Sequence, residues 1–197
     1  MIAKQRTTGI LLASLIFVVL ISGCSQPSNN QPSTNQQPSA APISGSPQTF
    51  SVYESQGAGI KLKYPSDWIK KENVGGVTVA FLASKTGNSD KFQENVNIII
   101  QKSENITLKD YVDQTVKQLS TTSDAFLIES KETALNSNPA HKFVYKIDGP
   151  SLSIQALQII SIKNNNIYMF TYTAENAIYP DYLDKVNEMI SSFEFIG

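Results

Sequence analysis

One cysteine, one histidine and a few spaced carboxylates are what this 197-residue chain offers for chemistry. The cysteine, Cys24, closes the run Ile21-Ser22-Gly23-Cys24, behind an apolar stretch from Ile10 to Ile21 and a cationic head bearing Lys4 and Arg6. An apolar residue and two small ones before a cysteine resemble a lipobox. Small residues let the peptide enter a signal protease, and the thiol is the acceptor for a diacylglyceryl group. Residues 1–23 are therefore expected to be a removable lipoprotein signal peptide and Cys24 the lipid anchor. The competing reading is an incidental cysteine at the end of a signal-anchor helix. A run of twelve residues rises only ~18 Å, short of the ~30 Å hydrocarbon core, so a permanent span would have to recruit Thr7, Thr8, Ser22 and Gly23.

The other reactive residues form no complete site. His141 alternates with Phe143, Tyr145 and Ile147 and is expected on the face they share, as a structural histidine at a strand end. With Cys24 lipidated the mature chain has no free thiol. No Gly-x-Ser-x-Gly, His-Glu-x-x-His or phosphate-cradling glycine motif is present. No catalytic residue, metal ligand or cofactor is assigned, and the chain is expected not to be an enzyme. Asp181, Asp184 and Glu188 fall at i, i+3 and i+7, a spacing that could hold calcium or manganese loosely but that any solvated helix face also shows. Asp110 and Asp113 invite the same two readings. Asn105-Ile106-Thr107 is an N-glycosylation sequon that export would make accessible, while Thr107 has a sufficient role as a helix cap.

These residues are positioned by three regions of contrasting composition. Residues 1–24 hold 15 apolar residues and no acid; 25–48 hold no charge and five of the nine prolines. Residues 49–197 hold all 17 acids and 14 of the 15 lysines, giving the mature chain a net charge of −3. One isoleucine, Ile43, cannot give residues 25–48 a hydrophobic face, so this Gln/Pro/Ser/Asn stretch is expected to be a disordered tether. Fully stretched it reaches roughly 80 Å. The remaining 149 residues, 62 of them apolar, suffice for one domain with its own core. One cysteine excludes a disulfide framework. A negative, arginine-free domain gives no footing for nucleic acid.

Within 49–197 the apolar period mostly alternates by two. Strands are expected around Phe50–Val52, Ile60–Tyr64, Val77–Ala83 and Asn95–Gln101, the second ended by Pro65. Thr107, with Asp110 three residues on, caps a helix whose stripe is Leu108, Tyr111, Val112, Val116 and Leu119. Strands follow at Phe126–Ala134, His141–Ile147, Ser153–Ile162 and Ile167–Thr173, with turns at Asn136–Pro139 and Asn164–Asn166. A last helix starts near Pro180-Asp181, with Tyr182, Val186, Met189, Ile190 and Phe193 as its stripe. Without βαβ alternation this is an α+β domain on a mostly antiparallel sheet.

Several stretches in order carry a resemblance: Gly59-Ile-Lys-Leu-Lys-Tyr64-Pro65-Ser-Asp-Trp68, Glu94-Asn95-Val-Asn-Ile, Asn138-Pro139-Ala-His-Lys-Phe-Val-Tyr145, Phe170-Thr-Tyr172-Thr-Ala, and Tyr182 through Ile190-Ser-Ser-Phe193. Over about 50–197 the chain resembles the PsbP domain, named for an extrinsic subunit of photosystem II, and its prokaryotic lipoprotein relatives. The resemblance implies an α/β/α sandwich, an antiparallel sheet with helices on both faces. It also implies a non-enzymatic module that binds or stabilises a membrane protein complex, with a photosystem II role only in a photosynthetic source. Photosystem subunits of the family help retain calcium and chloride through an N-terminal extension, where this chain has its neutral tether. The expectation is an exported protein, lipid-anchored to the outer face of a cell membrane. The alternative is a surface lipoprotein that passes a small molecule or metal ion to a transporter. The segment Tyr64–Trp68 itself reads as structural: a strand stop, a turn, and a tryptophan packed under a helix.

Overall fold

The computed structural model describes residues 48–85 and 91–196. The signal and tether, with Cys24 and nearly all of 25–48, lie outside the described residues. Ten strands, two α-helices and one 3-10 turn follow in the order β1 (Phe50–Ser55), β2 (Ile60–Pro65), β3 (Ile69–Val74), β4 (Val77–Leu82), β5 (Asn95–Lys102), α1 (Leu108–Thr121), β6 (Ala125–Leu135), β7 (Asn138–Asp148), β8 (Ser153–Lys163), β9 (Asn166–Glu175), the 3-10 turn (Tyr179–Tyr182), α2 (Leu183–Ser191) and β10 (Glu194–Phe195). All strand pairs are antiparallel. They form two sheets, β1-β2-β10 and β3-β4-β5-β9-β8-β7-β6, where the sequence suggested a single one.

Tight turns set the register of the large sheet. Gly75-Gly76, Asn136-Ser137 and Asn164-Asn165 each join two strands with both central residues at positive φ. That backbone matches the right-handed twist of the flanking strands, and glycine and asparagine tolerate it best. Asn138 and Pro139, expected in a turn, are already paired in β7 opposite Leu135 and Ala134. Gly59 ends the β1–β2 turn at φ +67, and a Cβ there would stand 3.3 Å from the Ile196 carbonyl oxygen. The close approach is used, because the Ile196 N–H donates to the Gly59 carbonyl (2.9 Å) and ties the C-terminus to β2.

Two further elements differ from expectation. β3, Ile69-Lys-Lys-Glu-Asn-Val74, shows no apolar alternation because among the described residues it is an edge strand, paired to β4 alone, and is mostly exposed. Charge on an edge discourages further pairing. The chain's end makes a 3-10 turn before α2 begins at Leu183, and Phe193 lies beyond the helix, leading into the two-residue β10.

Side-chain alternation sorts the sheet residues into separate clusters. Leu157 and Ile159 of β8 and Phe170 and Tyr172 of β9 join Tyr53, Ile60, Leu62, Trp68, Val186, Met189 and Phe193. Their neighbours Ala156, Ile160, Ile167 and Met169 join Tyr111 and Leu119 of α1. Thr107 caps α1 as expected, its hydroxyl accepting from the Asp110 N–H (3.1 Å) and donating to the Asp110 carboxylate (2.6 Å).

Candidate functional site

The segment Tyr64–Trp68 performs the structural role read from its residues. Trp68 is buried, its ring meets that of Tyr182 edge-on at 5.8 Å, and its backbone N–H donates to the Pro65 carbonyl (3.0 Å). The Asp67 carboxylate lies 3.6 Å from Lys185 of α2 and accepts from Gln48 (3.2 Å), while its backbone carbonyl accepts from the Ser84 hydroxyl (3.1 Å). The element thus fastens the point where the chain enters the domain to the last helix.

The candidate metal ligands do not come together. Glu188 turns to Lys63 on β2 (3.2 Å), Asp113 pairs with Lys109 (2.6 Å), and Asp110 is held by the α1 cap. Asp181 sits in the 3-10 turn and Asp184 in the first turn of α2, where a negative charge suits a helix N-terminus. Among the described residues, no three His, Cys, Asp or Glu side chains converge as a metal site. Asn105 is exposed in the loop before α1, at φ +69.

His141 has the most specific surroundings. It lies four residues into β7 rather than at the expected strand end, because Asn138–Ala140 are already paired with β6, and it stacks obliquely on Phe143, with ring centroids 4.7 Å apart, on the face that also bears Tyr145 and Ile147. Its Nε2 is 2.8 Å from the Ser130 hydroxyl on β6. Burial lowers its pKa, and Glu132, directly across the strand pair, pulls the other way. The ring borders a cavity of about 350 Å³ between α1 and the β6–β7 hairpin, floored by Leu108, Val112, Pro139 and Ala140 with Lys109, Glu132 and Thr133 beside them. The sequence did not reveal the contact with Ser130, which depends on the hairpin register. A serine bonded to an imidazole is half of a nucleophile–base arrangement. Ser130 is exposed on an edge strand, and its hydroxyl contact links the ring of His141 to β6.

Buried tyrosines lie within the sheet. Burial raises the Tyr145 pKa to about 12, and that of Tyr179 to about 12 with Gln155 opposing the rise. Tyr172 is pushed further up by burial, stacks on Tyr179 at 5.0 Å and donates to the Tyr179 carbonyl (2.9 Å). All stay protonated at physiological pH and act as packing and hydrogen-bonding groups.

The PsbP family model matches residues 48–195. Among solved structures, the solution structure of cyanobacterial PsbP (CyanoP) from Synechocystis sp. PCC 6803 superposes with TM-score 0.53 at 18% identity, covering 75% of this chain and 93% of that one. LpqN of Mycobacterium tuberculosis, involved in cell envelope biogenesis, gives TM-score 0.57 at 10% identity, with 78% and 87% covered. PA94 of Pseudomonas aeruginosa, a protein of unknown function and putative regulator, gives 0.50 at 13%, with 70% and 91% covered. No curated protein matches the chain.

Proposed function

The chain belongs to the PsbP family, and from that premise we propose that it is an exported, lipid-anchored, non-enzymatic module that binds or stabilises a membrane protein complex. The observation that carries the reading is the coupling of a PsbP domain at 48–195 to Ile21-Ser22-Gly23-Cys24 upstream. Lipidation at Cys24 would place the mature chain on the outer face of a membrane, since two or more acyl chains at about 0.8 kcal/mol per buried methylene hold a protein stably. Among the described residues no helix is long and apolar enough to cross a membrane.

The domain itself is read as an α/β/α sandwich. Supporting this, alternate residues of β8 and β9 feed two clusters, one containing α1 residues and the other α2 residues. A sandwich commits both faces of the large sheet to packing and leaves edges, loops and outer helix surfaces for a partner. A photosystem II role applies only in a photosynthetic source.

Affinity isolation of the tagged full chain from its own membranes in mild detergent tests the reading. A stoichiometric integral-membrane partner is expected. A bound solute or metal ion with no protein partner would instead favour delivery to a transporter.

A further inference from the structure

The outer side of β6 pairs with no described strand, since β6 closes one end of the seven-stranded sheet. It is eleven residues long, against six for β3 at the opposite end. It also carries three consecutive exposed apolar residues, Phe126 at 53%, Leu127 at 40% and Ile128 at 56% exposure. Unpaired backbone donors and acceptors beside apolar side chains form a template for another strand. The chain's own tether is a poor occupant, because five of its 24 residues are prolines that cannot donate to a ladder.

We propose that this edge pairs antiparallel with the β6 edge of a second copy of the chain, about a two-fold axis at Ser130. Side chains directly opposite each other in a sheet must point to the same face, which restricts such an axis to a residue position. An axis at Glu129, Lys131 or Glu132 would set that residue against itself, like charge on like. At Thr133 no opposite charges meet. At Ser130 each copy's Glu129 stands opposite the other's Lys131, twice by symmetry. Glu129 and Lys131 already pair with each other along one face of the strand, through one carboxylate oxygen while the other meets Lys142 of β7, so both side chains lie on the face where the exchange would occur. The apolar residues 126–128 then lie along the partner's 132–134 stretch. The bulge between Leu127 and Glu129 admits Ile128 as an extra residue there.

Cross-linking tests the pairing. In the full chain carrying Cys24→Ser, Ser130→Cys supplies the sole thiol. Facing residues of an antiparallel pair have Cα atoms about 4.5–5.5 Å apart, within the range a disulfide bridges. Mild oxidation is expected to give a covalent dimer, which Ser120→Cys at the exposed end of α1 does not give. Adding Lys131→Glu should cut the yield about tenfold, as two lost attractions and two new repulsions require, and adding Glu129→Lys to that should restore it. A yield no greater than that of Ser120→Cys, or one indifferent to Lys131→Glu, overturns the pairing. Light scattering on the chain without an introduced cysteine gives a second reading: twice the chain mass supports the dimer, and monomer mass at all concentrations refutes it.

Discussion

His141 is held by a serine hydroxyl on one side and an aromatic face on the other, and burial favours its neutral form. As the only histidine, it gives an unambiguous titration by NMR. Its midpoint should lie below the ordinary 6.5, and a value at or above 6.5 would contradict the packing described. The consequence for stability follows from proton linkage. Below pH 6.5 the unfolded chain binds a proton that the folded chain resists, so this residue's contribution falls as pH drops from 6.5 towards the folded value. Trp68 gives a larger effect. At 5% exposure in the main core, its replacement by alanine should cost about 3–5 kcal/mol in urea unfolding. A loss below about 1 kcal/mol would show that the Tyr64–Trp68 segment is not a structural keystone.

At the scale of elements, the β6–β7 turn places Ser137 at φ +60, a conformation that costs a non-glycine residue about 1–2 kcal/mol. Ser137→Gly should therefore raise the melting temperature, offset in part by the backbone freedom glycine brings to the unfolded chain. An unchanged or lower value would mean the turn is not strained. The asparagine turn and the strands β2, β8 and β9 are legible in the sequence because their pattern is local: alternation in β2, near-continuous apolar runs buried on both faces in β8 and β9, and one residue type suited to positive φ at the turn. The α1 stripe and the Thr107 cap are legible for the same reason. β3 was not, since an edge strand exposed on most positions has no reason to alternate. Nor were the division into two sheets, the pairing of β5 with the distant β9, or the contact of Ser130 with His141, all of which depend on registers between strands. The acidic spacing on α2 shows the opposite difficulty. A helix face that could hold a metal looks the same in sequence as one whose carboxylate turns to Lys63.

For the whole molecule, the two edges of the large sheet differ in character: a short charged one beside the chain's entry and a long, partly apolar one far from it across the strand order. A tether joined at Gln48, next to Asp67 on the β3 side, would leave the β6 edge free to meet a partner. The tethered account stands on Cys24. The direct measurement is fractionation of cells expressing the full chain and its Cys24→Ser variant, with the size of each product read alongside. The tethered account predicts mature-size protein in the membrane fraction for the unaltered chain, and soluble extracellular or unprocessed protein for Cys24→Ser. Unchanged membrane retention of Cys24→Ser at the normal mature size would contradict it.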